Sequence, residues 1–282
     1  MTQQHLDDYA GWQGIQPLSP ADMKRTFDHE DLWQRRFRAL RTSPNEQDRI
    51  KKGKFRFVNS LVIETGAIAG LYELTEEMTE ALVRSGFDSL RGRRKKGVDP
   101  HISNLISTFR QRNLKGVDYL LNVLADHTQA HSKILDFVLE DRPITKYAIR
   151  GLHQLIIAHQ ETYDADDSLG KRVIRKMEPG AFRMFPAYPN NPTQPDGTTI
   201  PYVPYEQIDS QLDRLLELYG DYRKTCHPLL VGAWLHHRFA QIHPFPDGNG
   251  RTGRMLLNWH LWSADWNPVS VHRRDRDNYL VG

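Results

Sequence analysis

The run His-Pro-Phe-Pro-Asp-Gly-Asn-Gly-Arg-Thr-Gly-Arg at residues 243–254 lies between two apolar helical patterns, and its reading decides the fold. Upstream, Val231, Leu235, Phe239 and Ile242 recur at helical spacing, with Leu230 and Trp234 widening the stripe. Downstream the pattern resumes in Met255, Leu256, Leu257, Leu261 and Trp262. Pro244 and Pro246 cannot continue a helix, so the residues around them form a loop. The spacing therefore predicts helix, glycine-rich loop, helix, with the loop running into the second helix's N-terminus.

Such a junction suits an anion. The first amides of a helix lack internal partners, and the macrodipole places partial positive charge there. Gly248 and Gly250 would let the backbone come close to a phosphate and turn its N–H groups inward. Arg251 and Arg254 are three apart, hence on one helix face, and each can offer a planar fork to phosphate oxygens. Asp247, beside phosphates, could hold Mg²⁺, a hard cation content with one or two carboxylates plus phosphate oxygens. His243 is the one base of the loop suited to neutral pH and could take a proton from an attacking hydroxyl. The run has no Gly-Lys-Ser/Thr, which excludes a P-loop.

The same residues resemble the signature of Fic-domain proteins, His-x-Phe-x-Asp/Glu-Gly-Asn-Gly-Arg-x-x-Arg, and every specified position is matched. The resemblance implies transfer of a nucleotide monophosphate, usually AMP from ATP, onto a protein hydroxyl with release of pyrophosphate. Carried over by position, His243 is similar to the general base and Asp247 to the Mg²⁺ ligand. Asn249 and Gly250 resemble the anion-hole residues, Arg251 and Arg254 the phosphate-binding pair, and Phe245 a buried anchor of the loop. Gly248 falls within the same nucleotide-binding run.

Composition sets looser bounds. A chain of 282 residues with 39% hydrophobic content can build one large domain, or a core domain with an accessory one. With 38 Lys+Arg against 35 Asp+Glu, a net charge of +3 argues neither for nor against nucleic acid, and only residues 91–96 cluster cations, as a solvated loop would. The single Cys226 excludes an intrachain disulfide and a cysteine-rich zinc module, which suits a reducing cytoplasm. The N-terminal residues are polar and acidic, unlike a secretory signal, and no run approaches the roughly 18 apolar residues of a membrane span. A cytoplasmic protein without a membrane or nucleic-acid partner is expected.

Along the chain, residues 1–45 are mixed in pattern, with Trp12, Trp33 and Phe37 as candidate anchors. Helical patterns follow from Asp48 to about residue 70, then over 76–84, 102–126 and 130–139. Leu105, Ile106, Phe109, Leu120, Val123 and Leu124 are core candidates. Thr145 is placed to cap a helix carrying Ile149, Leu152, Leu155 and Ile156, on which His153 and His159 read as ordinary surface or core residues. Residues 182–185 and 199–203 read as short strands around a segment dense in Pro, Asn and Asp, hence a hairpin with a long tip. Helix resumes over 205–222 and again near 274–280. The sum is a mainly α, Fic-type helical bundle with a short β-hairpin flap. We divide it into an N-terminal helical region, 1–140, and a catalytic core, 141–282.

In the resembled family a hairpin flap, here residues 180–203, holds an extended segment of the target protein by adding it as a strand. Members usually carry more helix after the signature, which points to a core cut short at its C-terminus, and a homodimer is allowed for. Many also carry an inhibitory helix, Ser/Thr-x-x-x-Glu-Gly/Asn, whose glutamate occupies the second arginine, here Arg254. Two registers fit residues 55–70. One runs from Ser60 to Thr65 and supplies Glu64 as the acid; the other runs from Thr65 to Gly70 and has Ala69 in the acid's place. The second is favoured, because the residues around it resemble family segments that carry Glu there.

Three rival functions remain open. A kinase-like relative would transfer γ-phosphate, but tends to carry lysine where Gly250 stands. A metal-dependent hydrolase would use His243, Asp247 and one of His236 or His237, which point roughly 100° apart on a helix. A non-catalytic, DNA-binding regulator would keep the fold and leave the loop idle.

Overall fold

In the computed structural model the described residues are 47–87, 116–166, 171–184 and 202–281, with isolated positions 15 and 35. The elements in chain order are α1 (Gln47–Ile68), α2 (Glu76–Ser85), α3 (Gly116–Leu139), α4 (Lys146–Ile156), β1 (Thr162–Asp166) and β2 (Arg172–Lys176). A 3₁₀ turn (Tyr205–Gln207) then leads into α5 (Ile208–Thr225), α6 (Pro228–Ile242) and α7 (Asn249–Ser263). A second 3₁₀ turn (Arg273–Asp275) precedes α8 (Arg276–Val281). The described residues are mainly α, with one small antiparallel sheet.

Local chemistry sets the helix ends. Thr145 caps α4 by accepting the Ala148 N–H at 3.1 Å, and Thr75 caps α2 through the Met78 N–H. At the end of α1, Gly70 takes a positive φ, its N–H bonding to the Ala67 carbonyl and that of Leu71 to Gly66. Pro228 begins α6, where a missing N–H loses nothing.

α7 is the centre of the bundle. It packs against α6, α3, α4 and α1, and from Arg251 to Leu261 every residue is buried. One hydrophobic cluster unites α4 to α7 with the second half of α3 (Ala130, Ile134, Phe137). Another unites α1 and α2 with its first half (Val117, Leu120, Val123, Leu124). The two apolar patterns at 102–126 and 130–139 are thus one continuous helix over the part that is described.

The sheet lies elsewhere than expected. β1 and β2 pair from Thr162↔Lys176 to Asp166↔Arg172, ahead of the stretch read as strand. The alternation there is easily missed: Tyr163 and Ala165 are buried while Ile174 is exposed, so polar residues hide a one-sided strand. Residues 182–184, 202 and 203 are in no strand; Arg183 and Val203 instead bond through backbone N–H to the carbonyls of Pro244 and Gln241. The rest of the expected hairpin, 185–201, lies outside the described residues, as do Trp12, Trp33, Phe37, the basic run 91–96, Leu105, Ile106 and Phe109.

Candidate active site

The loop between α6 and α7 is shaped residue by residue. His243 ends α6 in the left-handed region (φ 48°, ψ 58°), with its N–H still bonded to Phe239 O. Its ring lies flat against Tyr202, centroids 3.7 Å apart. Nδ1 lies 3.3 Å from the Ala240 carbonyl, which can only accept, so Nδ1 carries the proton and Nε2 is the bare acceptor. Burial lowers the His243 pKa to about 3; Arg183 adds to that, while the Ala240 carbonyl and Asp247 oppose it. The ring is neutral at physiological pH, the form a base requires.

Arg183 holds this helix end. Its Nε donates to the His243 carbonyl at 2.7 Å, and Nη2 to the carbonyls of Ile242 (3.3 Å) and Val203. One buried guanidinium thereby satisfies carbonyls that the end of α6 leaves open. Sequence reasoning missed it.

Phe245 is fully buried, stacked on His153 with centroids 3.7 Å apart. The Asn249 side chain clamps it: Oδ1 accepts the Phe245 N–H at 2.8 Å, and Nδ2 donates to the Phe245 carbonyl at 2.7 Å. Asn249 thus shapes the loop with its side chain. His153 is a satisfied core residue, as expected, and it also supports the loop. Gly180 N–H donates to its Nδ1 at 2.9 Å, so Nε2 carries the proton and donates to the Asp247 carbonyl at 2.9 Å. Gly248 must be glycine, because its φ is +82° and a Cβ would meet the His153 ring at 3.2 Å. Gly250 is exposed in the first turn of α7.

Asp247 and Arg251 face each other at 3.4 Å, joined by a residue the sequence did not suggest. Gln160 Nε2 donates to Asp247 Oδ2 at 2.6 Å, and its Oε1 accepts from Arg251 Nη2 at 2.7 Å. Gly248 N–H donates to the other carboxylate oxygen. Burial alone would raise the Asp247 pKa; Arg251, Gln160 and Gly248 together outweigh it and hold the carboxyl below its usual range. Asp247 is therefore ionised, and its side chain is 41% exposed. Among the described residues no group of three His, Cys, Asp or Glu could hold a metal ion. A cation on Asp247 would need phosphate oxygens to complete its shell, which fits the habit of Mg²⁺.

Arg254 turns away from that pair. Its Nη2 donates to the Thr65 carbonyl near the end of α1 at 2.9 Å, and its Nη1 to the Tyr279 hydroxyl at 3.2 Å. Tyr279, also missed, pairs with His236 Nε2 at 2.5 Å, so His236 is engaged away from the loop. The α1 segment does reach the second arginine, but with a backbone carbonyl. Glu64 is buried and engaged elsewhere, with His272 Nδ1 at 3.1 Å and Arg273 N–H at 2.8 Å. Ala69 is exposed, one residue beyond the end of α1.

This loop, with its imidazole, carboxylate and two arginines opening a central helix, lies within a stretch that matches a known family. Residues 143–261 match the model of the Fic/DOC family. They form a Fic domain. Among curated proteins the chain is 44% identical over 78 residues to a Fido domain-containing protein of Dictyostelium discoideum, covering 27% of this chain and 54% of that one. It is 28% identical over 138 residues to the protein adenylyltransferase Fic of Nematostella vectensis, covering 47% and 30%. With the protein of that name from Drosophila melanogaster it shares 40% over 62 residues, 22% and 13% of the two chains. The matches thus span about half or less of these relatives' own length. Among solved structures, a Fic domain-containing signaling protein from Bacteroides thetaiotaomicron superposes with a TM-score of 0.61 at 22% identity, covering 89% of this chain and 78% of that one. A Fic family protein from Desulfovibrio desulfuricans gives 0.56 at 17% identity, covering 95% and 67%. At such identity these two speak for the fold. Among the described residues no helix is long and apolar enough to cross a membrane.

Proposed function

We propose that the chain is a protein adenylyltransferase, moving AMP from ATP to a hydroxyl side chain of another protein and releasing pyrophosphate. The observation that carries this reading is the bare Nε2 of His243, neutral and held at the mouth of a loop that also presents Asp247 and Arg251. His243 would accept the proton of the target hydroxyl as its oxygen bonds to the α-phosphorus. The bond from that phosphorus to the bridging oxygen breaks, and pyrophosphate leaves with the electron pair. Arg251 and Arg254 would offer their forks to the phosphates, and the first amides of α7 the positive end of its dipole. Asp247 would hold Mg²⁺, which supplies charge neutralisation at the phosphate oxygens. The target would be a protein presented along residues 180–203, and the reaction a cytoplasmic one. The relatives named as adenylyltransferases support this reaction over hydrolysis.

The test is the intact mass of the purified protein, and of proteins of a lysate, after incubation with Mg·ATP carrying label on the α- or the γ-phosphate. Gain of one AMP with retained α-label is the expected result, and loss of it in His243→Ala. Label that follows the γ-phosphate would replace this reading with the kinase-like one.

A further inference from the structure

Gln160 stands on a turn unusually well anchored for a residue outside any helix or strand. Its own N–H bonds to the Ile157 carbonyl at 2.8 Å. The preceding His159 is held by the buried Asp126, which accepts from its backbone N–H at 3.0 Å and pairs with its Nδ1 at 2.7 Å. Asp126 belongs to α3, so the turn is pinned to the bundle, not to the loop it serves. From there the Gln160 carboxamide reaches between a carboxylate and a guanidinium. It can be read only one way round: the acceptor must face Arg251 and the donor must face Asp247.

That arrangement sets up a conflict. An amide N–H₂ on Asp247 Oδ2 takes up one lone pair of an oxygen a cation would use and turns the positive end of its dipole toward that place. A flip of the carboxamide would turn its oxygen to the cation but its N–H₂ to Arg251, donor against donor. Withdrawal of Gln160 would open that oxygen fully to a cation, and would at the same time release Arg251 Nη2, one of the donors a phosphate would use.

We propose that Gln160 couples the two halves of the site: by bridging Asp247 and Arg251 it lowers the affinity for nucleotide without metal, and it makes cation and phosphate bind together. The assignment rests on the adenylyltransferase reading, through the cation on Asp247 and the phosphate on Arg251. Its reciprocal form follows from linkage: whatever factor the cation adds to nucleotide affinity, the nucleotide adds to cation affinity.

The test is titration calorimetry of ATP into the full chain, with Mg²⁺ or with excess chelator, on wild type and Gln160→Ala. The two bridge hydrogen bonds are made to charged groups, so removing them should tighten chelator-side binding roughly three- to ten-fold. The ratio of affinities with and without Mg²⁺ should shrink by the same factor. Gln160→Met, which keeps the length and drops both polar atoms, should reproduce the change and serves if the alanine variant does not fold. An unchanged ratio in either folded variant, with wild type binding ATP, overturns the coupling and leaves the functional reading standing. Wild type that binds no ATP under either condition overturns the functional reading itself.

Discussion

Acidification from pH 7 to pH 5.5 should remove much of this protein's stability, and the five histidines whose pKa burial lowers furthest set most of the loss. Burial lowers the pKa of His131 and His153 to about 4 and of His236 and His243 to about 3, and that of His127 well below its usual value. Each is neutral in the folded protein, whereas in the unfolded chain each takes a proton near pH 6.5. Between the folded and unfolded values the unfolded chain binds more protons. Stability is therefore full above about 6.5 and falls as the pH drops toward the folded values. From pH 7 to 5.5 one such histidine accounts for about 1.3 kcal/mol, so five account for about 6 kcal/mol. Against a typical margin of about 5–15 kcal/mol, that brings the protein close to its unfolding midpoint. Urea titrations followed by tryptophan fluorescence, at fixed ionic strength and several pH values, would read the loss as a falling midpoint. His131 provides the control, because it is buried and neither ring nitrogen has a hydrogen-bond partner among the described residues. His131→Leu should flatten the pH dependence by about one fifth. A midpoint that stays level from pH 7.5 to 5.5 would refute the reasoning.

Two further outcomes concern the loop and its neighbour α1. Arg183→Met should cost about 2–4 kcal/mol, since three carbonyls lose their donor in a buried place, and should lower turnover beyond any loss of folded protein because His243 loses its support; urea titration beside steady-state rates separates the two. For α1, Ala69→Glu should suppress nucleotide transfer if the second register of the inhibitory pattern is the working one. If Ala69→Glu leaves turnover unchanged while Glu64→Ala raises it, the first register holds, and an intact-mass time course decides between them.

What the sequence made legible follows from distance along the chain. The loop between α6 and α7 could be read because its chemistry is contiguous: proline, glycine and arginine at fixed spacing dictate a turn, a close approach and a helix start. Thr145 was legible for the same local reason. Arg183, Gln160 and Tyr279 were not, although each touches the loop or its arginines. Arg183 meets His243 from 60 residues away, and Gln160 meets Arg251 from 91. No periodicity marks such a partner, since only the packed bundle brings it near. The sheet at 162–176 was not legible because β1 hides its one-sided burial among polar residues, while 182–184, 202 and 203, read as strand from their composition, are in none. Glu64 was a candidate for Arg254 through the resembled inhibitory pattern, in the less favoured register, and only the fold shows its carboxylate on His272 and Arg273.

The two bonds from Asn249 to the backbone of Phe245 have a thermodynamic consequence. The curve of the loop is fixed by the chain's own hydrogen bonds and by a buried ring, before any ligand contributes. On the proposed function, a nucleotide arriving there would meet a rigid cradle, so little of the interaction free energy would be consumed in freezing backbone motion. Removing that amide would leave the contacts to phosphate nominally intact, yet each association would then have to organise a floppy segment first.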